Sequence, residues 1–205
     1  MNHPGALILD YGGVLSLPQD ADSVEQMVAH LGVDGERFRK AYRQDRPAFD
    51  RGAVSGEQYW RGVVAKCGLD PAGVDLGLLI ELDVQSWTQV NDEMVRLLAE
   101  LRPRVDRLAI ISNMTANTLV AMRRDFEWLA LFDECVYSCE IGSNKPGRAI
   151  YETCLRRLDL RADECLFVDD SAKNVQGARD VGMAAIQFEC MEQFVAELGA
   201  FRLVR

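Results

Sequence analysis

Four groups of polar residues follow apolar segments or precede helical ones, and their side chains are suited to holding a charged ligand. They are Asp10, Ser112-Asn113, Asn144-Lys145-Pro146, and Asp169-Asp170 with Asn174. Taken singly, each group is typical of a turn or a helix cap. Ligands of open parallel sheets bind at the carboxyl ends of the strands, so four groups at that edge of one sheet would converge.

The converged side chains would position a phosphate group and a divalent cation. Asp10 and Asp170 provide the hard carboxylate oxygens that Mg²⁺ prefers, and a carboxylate such as Asp10 can also act as a nucleophile. The Ser112 hydroxyl and the N–H groups of the turn after it can hold phosphate oxygens. The Lys145 ammonium would offset the negative charge. Phosphoryl transfer depends mainly on such positioning and electrostatic stabilisation.

Short apolar runs provide the strands that must carry these residues. Strands are predicted over residues 7–9, 108–111, 134–139, 166–168 and 184–186. Helices are predicted between and after them, over residues 92–101, 115–128, 146–158, 171–181 and 191–198. Alternating strands and helices predict an α/β fold, a Rossmann-like parallel sheet with helices on both faces.

A mainly helical segment separates the first strand from the second. Apolar residues recur at helical spacing over residues 24–31, and shorter helical patterns cover residues 36–42 and 76–82. Ser55 is predicted to cap another helix that ends near Gly68, with Gln58 reaching back to the cap. The sequence therefore predicts an α/β core of residues 1–15 and 86–205, and a helical insertion of residues 16–85.

Composition limits the classes of partner. A chain of 205 residues is long enough for one domain with an insertion, and its net charge of −9 argues against nucleic acid and anionic membranes. The six cysteines form no CxxC pair, which favours reduced thiols and a cytoplasmic location. Residues 1–5 lack the basic start of a signal peptide. No apolar run approaches the ~20 residues of a membrane span.

Together, the four groups resemble the four motifs of the haloacid dehalogenase superfamily of hydrolases. The match covers nearly the whole chain in the expected order, with Asp10-Tyr11-Gly12-Gly13-Val14, Ile111-Ser112-Asn113, Lys145-Pro146, and Phe167-Val168-Asp169-Asp170-Ser171 followed by Asn174. The helical insertion resembles the cap that this superfamily places over its active site. The third and fourth motifs are most similar to the branch with sugar-phosphate phosphatases and the phosphatase domain of epoxide hydrolases.

The resemblance implies a metal site at the first and fourth motifs. Asp10 would be both the nucleophile and a ligand of Mg²⁺, and Asp170 would be a second side-chain ligand. Gly12 would contribute its backbone carbonyl. Asp169 and Asn174 would support these ligands from a second layer.

The second and third motifs would hold the substrate. By the same resemblance, Ser112 and Lys145 would bind phosphate, Lys145 would also orient Asp10, and Asn113 would contact the substrate. The implied protein is an Mg²⁺-dependent hydrolase of a small phosphorylated metabolite, a monomer or a homodimer, that works through an aspartyl-phosphate intermediate.

Gly12 departs from the family pattern, because phosphatases of this superfamily usually carry an aspartate two residues after the nucleophile. A positioned acid or base typically contributes ~10²–10⁴-fold to the rate, and glycine cannot replace it. Three interpretations remain open. The cap, water or substrate supplies the proton in a phosphatase; the protein is a non-catalytic binding or regulatory member; or Asp10 attacks carbon, as in dehalogenases, which need no metal.

Specificity is expected in the helical insertion, whose closure would exclude water and contact the leaving group. The polar and aromatic candidates there are Arg43, Arg46, Arg51, Tyr59 and Trp60. The sequence does not identify the substrate.

Overall fold

A computed structural model describes residues 3–204, so residues 1, 2 and 205 of the predicted core lie outside the described part. Five parallel strands form one sheet in the order β3-β2-β1-β4-β5. The strands are β1 (Ala6–Leu9), β2 (Arg107–Ser112), β3 (Glu134–Tyr137), β4 (Cys165–Asp169) and β5 (Ala184–Gln187). Leu9 of β1 pairs with Ile110 and Val168 on its two neighbours. The carboxyl ends of β2, β1 and β4 therefore lie side by side.

Helices cover both faces of the sheet, which confirms the predicted Rossmann-like α/β fold. The helices are α1 (Ala21–Leu31), α2 (Gly35–Gln44), α3 (Arg46–Asp50), α4 (Gly56–Lys66), α5 (Leu76–Ser86), α6 (Asp92–Leu101), α7 (Ala116–Asp125), α8 (Ser138–Ile141), α9 (Arg148–Leu158), α10 (Ala172–Asp180) and α11 (Met191–Ala200). Leu7 and Leu9 pack in a cluster with α6, α7 and α11, whereas Ala6 and Ile8 pack in a second cluster with α9 and α10. Successive strand residues face opposite sides, so both faces are buried.

Helices α1 to α5 share a third apolar cluster. Met27, Phe38, Tyr59, Trp60 and Leu79 are all at most 3% exposed within it. Tyr59 and Trp60 therefore belong to the interior of the insertion. The capping box predicted at the start of α4 is present, since Ser55 and Gln58 each accept a hydrogen bond from the other's backbone N–H. The division into a core and an insertion at residues 16–85 stays a prediction.

Several predicted element boundaries were wrong, among them the end of the helix predicted over residues 76–82, which continues to Ser86. The strand predicted over residues 134–139 ends at Tyr137, because the Ser138 hydroxyl accepts a hydrogen bond from Met114 N and donates to Asp50 O, and the chain then enters α8. The helix predicted over 146–158 begins at Arg148, because the extended Gly147 closes a turn on Asn144 O.

Another wrong boundary is the end of α7, predicted near residue 128. The helix ends at Asp125, because Phe126 leaves the helical region (φ −112°, ψ 91°) and its ring stacks on Trp128 at a centroid distance of 5.4 Å. Both rings pack against the core cluster around α6 and α7. Burial of the two aromatic rings therefore replaces the last predicted turn of the helix.

Among residues 3–204, none of the helices is long and apolar enough to cross a membrane. The six cysteines are free thiols, namely Cys67, Cys135, Cys139, Cys154, Cys165 and Cys190.

Candidate active site

Asp10 lies directly after β1, at the middle of the carboxyl edge. Its backbone N–H donates to Val168 O at 2.8 Å, which continues the pairing with β4 for one more residue. Its Oδ1 atom accepts a hydrogen bond from Tyr11 N at 2.6 Å and pairs with Lys145 Nζ at 2.7 Å. Within residues 3–204 Oδ2 makes no hydrogen bond, so this is the carboxylate oxygen left free for a ligand.

Lys145 joins the first and fourth motifs. Its Nζ atom contacts Asp10 Oδ1 at 2.7 Å, Asp169 Oδ2 at 2.6 Å and Ile111 O at 2.9 Å. The side chain is 1% exposed, and three acceptors match its three N–H donors. Lys145 is therefore fixed behind Asp10 and offsets the charge of two carboxylates.

Asp169 and Asp170 point in different directions from the end of β4. Asp169 is fully buried, and Asn174 Nδ2 donates to both of its carboxylate oxygens at 3.0 and 3.1 Å. Asp170 is exposed and lines a cavity beside Asp10. One carboxylate oxygen from each of Asp10, Asp169 and Asp170 lies within 4.8 Å of the others.

The crowding of carboxylates affects their ionisation. Burial raises the pKa of Asp10 to about 7; Lys145 opposes this shift, and the nearby Asp169 and Asp170 add to it. Partial burial, followed by the charge of Asp169, also raises the pKa of Asp170. A hard divalent cation between Asp10 and Asp170 would relieve this repulsion, and an all-oxygen donor set is the kind that Mg²⁺ prefers.

Asn113 connects the second and third motifs. Its Oδ1 atom accepts a hydrogen bond from Lys145 N at 2.7 Å, and its Nδ2 atom donates to Lys145 O at 3.1 Å. The oxygen and the nitrogen of the Asn113 amide thus both hold the backbone of the loop that carries Lys145. Asn113 also lines the cavity. The preceding Ser112 ends β2 and is 1% exposed.

The two glycines after Asp10 have different surroundings. Gly13 has φ +73°, and a Cβ atom there would lie 2.7 Å from Asp170 Oδ2. Gly12 has φ −66° and ψ 123°, and a Cβ atom there would meet the Trp87 ring at an ordinary 3.5 Å. Glycine is therefore required at position 13, because its φ is positive and because a Cβ atom there would lie too close to Asp170. Neither reason applies at position 12.

A cavity of about 470 Å³ lies at this edge. Four of the predicted site residues line it, namely Asp10, Gly12, Asn113 and Asp170. The other four, Ser112, Lys145, Asp169 and Asn174, are not among its lining residues. The helical insertion adds Arg43 and Arg46 to the lining, whereas the other predicted specificity residues, Arg51, Tyr59 and Trp60, do not line the cavity.

A buried polar network extends from the cavity into the insertion. Arg46 Nε pairs with Asp50 Oδ1 at 2.8 Å, and Arg46 Nη1 pairs with Asp83 Oδ1 at 2.8 Å. Tyr42 donates its hydroxyl to Asp83 Oδ1 at 2.6 Å. The Arg46 guanidinium also lies over the ring of Trp87, 5.9 Å from its centroid. Arg46 is therefore held by two carboxylates and by the Trp87 ring, and it borders the cavity.

Sequence reasoning missed Asp50 and Trp87, both of which line the cavity. The spacing of Asp50 four residues after Arg46 is the signal that could have identified it, because such residues are neighbours on a helix. Trp87 follows the last helix of the insertion, and its contact with Gly12 joins positions far apart in the chain. No local pattern predicts that contact.

Comparison with known proteins places this chain in a family. A family model of haloacid dehalogenase-like hydrolases matches residues 6–182. The chain is 27% identical over 195 residues to the sesquiterpene phosphatase astK of Aspergillus oryzae, covering 91% of this chain and 93% of that protein. It is 34% identical over 216 residues to bifunctional epoxide hydrolase 2 of Sus scrofa, covering 94% of this chain but only 38% of the longer relative.

Solved structures agree on the fold. The HAD family enzyme BT-2542 of Bacteroides thetaiotaomicron superposes with a TM-score of 0.80 at 17% identity, covering 97% of this chain and 99% of the other. A second structure of that enzyme, in complex with magnesium and inorganic phosphate, has a TM-score of 0.75 at 17% identity, covering 92% of this chain and 98% of the other. The family model spans all four motifs, and the chain belongs to the haloacid dehalogenase-like hydrolases.

Proposed function

We propose that this hydrolase is an Mg²⁺-dependent phosphatase that acts on a small phosphorylated metabolite through an aspartyl-phosphate formed on Asp10. The observation that carries the proposal is the ion-pair arrangement at the nucleophile. Lys145 binds Oδ1 of Asp10 at 2.7 Å, Oδ2 makes no hydrogen bond within residues 3–204, and Asp10 lines the same cavity as Asp170. A nucleophile held on one oxygen and free on the other is oriented for attack.

The relatives support a phosphate ester as the substrate. A phosphatase from Aspergillus oryzae matches along most of its length, and BT-2542 was solved with magnesium and inorganic phosphate. Attack at carbon, as in the dehalogenases, needs no metal. It would therefore not explain why Asp170 adds a third carboxylate beside Asp10 and Asp169. The three crowded carboxylates thus favour the phosphatase interpretation.

We assign the residues of this chain the following roles. Asp10, Asp170 and the Gly12 carbonyl would hold Mg²⁺, which when bound offsets the charge of the phosphate. Asp10 Oδ2 would attack phosphorus. Ser112 and Asn113 belong to the turn that would receive the phosphate oxygens.

Lys145, Asp169 and Asn174 position these groups. Lys145 keeps Asp10 in place and balances part of its charge. Asn174 holds Asp169, which in turn holds Lys145. The helical insertion acts as the cap, because Arg43 and Arg46 line the same cavity as Asp10.

The test is phosphate release from acetyl phosphate and p-nitrophenyl phosphate, with and without Mg²⁺. We expect release that requires Mg²⁺ and is lost in Asp10→Asn, which keeps the shape of the side chain but is a poor nucleophile. The matched control is Asp106→Asn, an exposed carboxylate in the turn before β2. The control is expected to retain activity.

Two results would contradict the proposal. Phosphate release that persists in Asp10→Asn would exclude Asp10 as the nucleophile. A wild-type protein that binds Mg²⁺ but releases no phosphate from either compound would favour the binding or regulatory alternative.

A further inference from the structure

The cavity contains a carboxylate that the proposed mechanism does not use. Asp50 ends the short helix α3 and lines the cavity together with Asp10 and Gly12. Its side chain is 15% exposed, so it is largely withdrawn from solvent. Asp50 comes from the insertion, the part of the chain that would lie over the leaving group of a bound ester.

Two contacts fix Asp50 at this edge of the sheet. Its backbone carbonyl accepts a hydrogen bond from the Ser138 hydroxyl at 2.5 Å, which attaches α3 to the end of β3. Its Oδ1 atom pairs with Arg46 Nε at 2.8 Å. Within residues 3–204 the Oδ2 atom makes no hydrogen bond, so one carboxyl oxygen of Asp50 is free.

Trp87 connects this cluster to the position of the missing acid. Its ring atom Cζ3 lies 3.5 Å from where a Cβ atom would stand at Gly12. The ring also contacts Arg46, whose guanidinium carbon lies 5.9 Å from the ring centroid and which pairs with Asp50, and its Nε1 donates to the Tyr42 hydroxyl. The space that an acid at position 12 would occupy is therefore bordered by Trp87, which contacts the same Arg46 that holds Asp50.

The charges of the cluster favour a proton on one carboxyl group. One guanidinium, that of the largely buried Arg46, lies between two carboxylates, those of Asp50 and Asp83. Asp83 is 2% exposed and accepts hydrogen bonds from both Tyr42 and Arg46, whereas Asp50 has a free oxygen in the cavity. An uncompensated buried charge is costly, so the proton is expected on Asp50.

The ionisation of Asp50 agrees with this assignment. Burial raises the pKa of Asp50; Arg46 opposes the shift, and Asp83 adds to it. The charged and titratable groups packed near it are Arg46 on its own helix, Tyr42 on α2, Tyr59 on α4, Asp83 on α5 and Cys139 on α8, and Arg43, Asp10 and Asp170 line the same cavity. Arg46 is the cation that pairs directly with Asp50.

We propose that Asp50 is the general acid and base that replaces the residue absent at Gly12. This assignment rests on the proposed phosphatase function. In the first step Asp10 Oδ2 forms a bond to phosphorus, the bond from phosphorus to the leaving oxygen breaks, and the Asp50 proton passes to that oxygen. In the second step water attacks phosphorus, Asp50 takes its proton, and the bond to Asp10 breaks to release phosphate.

The experiment compares kcat/KM of wild type and Asp50→Asn for p-nitrophenyl phosphate, phenyl phosphate and glycerol 2-phosphate, in Mg²⁺. Asparagine retains the acceptor for Arg46 but cannot donate an acidic proton. We expect kcat/KM for glycerol 2-phosphate to fall by ~10²–10⁴-fold, and for p-nitrophenyl phosphate by less than about tenfold, because nitrophenolate leaves without a proton. The wild-type kcat/KM for glycerol 2-phosphate should fall as pH rises and Asp50 ionises, and this fall should be absent in Asp50→Asn.

The matched control is Asp106→Asn, which removes an exposed carboxylate that lies outside the cavity lining. Its effect on kcat/KM should be the same for all three esters. An equal dependence on the leaving group in wild type and Asp50→Asn, or the same change of dependence in Asp106→Asn, would overturn the role of Asp50. Failure of the wild type to hydrolyse any of the esters would instead overturn the proposed function, and the role of Asp50 with it.

Discussion

The backbone conformation of Gly13 determines where the Asp170 carboxylate can lie. A side chain at position 13 would have to adopt φ +73°, which L residues rarely do, and its Cβ atom would lie 2.7 Å from Asp170 Oδ2. Gly12 carries neither constraint, although it stands next in the chain and belongs to the same turn. Two adjacent glycines thus have different reasons to be present.

We therefore expect Gly13→Ala to destabilise the protein and Gly12→Ala to be tolerated. The left-handed conformation costs an L residue about 1–2 kcal/mol, and movement of Asp170 adds to this cost. Gly12→Ala fits its backbone angles and is expected to change the free energy of unfolding by less than about 1 kcal/mol. Urea unfolding without Mg²⁺ measures both, and equal losses of stability would contradict the explanation.

At the scale of elements, the residues that begin and end helices were predictable where the signals are local. Asn91 accepts from Met94 N at the start of α6, and the bounds of that helix match the prediction over residues 92–101. Local sequence signals did not predict an element's end where that end depends on a contact between residues far apart in the chain. Ser138 leaves the sheet because it bonds Met114 and Asp50, neither of which is its neighbour in sequence.

The cap of α4 is a local signal whose contribution can be measured. Ser55 and Gln58 are exposed, and their two reciprocal hydrogen bonds are 3.2 and 2.9 Å long. Ser55→Ala should lower the free energy of unfolding by about 1 kcal/mol, whereas Ser55→Gly should lower it by only about a few tenths. Urea denaturation of both variants tests this difference, and a glycine variant as unstable as the alanine variant would show that the cap is not the cause.

At the scale of the whole molecule, the sheet explains why much of the site could be predicted. Asp10, Ser112 and Asp169 stand at the ends of three adjacent parallel strands, so their convergence follows from the alternation of strands and helices. The contribution of the insertion could not be predicted, because it depends on how α3 and Trp87 pack against the carboxyl edge. Asp50 is the clearest case, since its attachment through Ser138 spans 88 positions in the chain.

We expect divalent cations to change the stability of the folded protein, because three carboxylates crowd the site of a chain whose net charge is −9. Mg²⁺ that binds only the native state stabilises it by ~2.7 kcal/mol at a concentration 100 times Kd. For a chain of this size, that corresponds to a rise in Tm of about 5–10 °C. The measurement is thermal unfolding across a MgCl₂ titration, with NaCl added to hold the ionic strength constant.

Asp170→Asn should remove most of this Mg²⁺-dependent rise, because Asp170 is one of the two side chains proposed to ligate the cation. Without Mg²⁺ the same variant should unfold at a higher temperature than wild type, since it removes repulsion with Asp10 and Asp169. Asp106→Asn removes one negative charge in the same way but lies outside the site, so it should retain the full rise. An identical response in all three proteins would mean that Mg²⁺ binds elsewhere on the protein, and the assignment of the metal to Asp10 and Asp170 would be wrong.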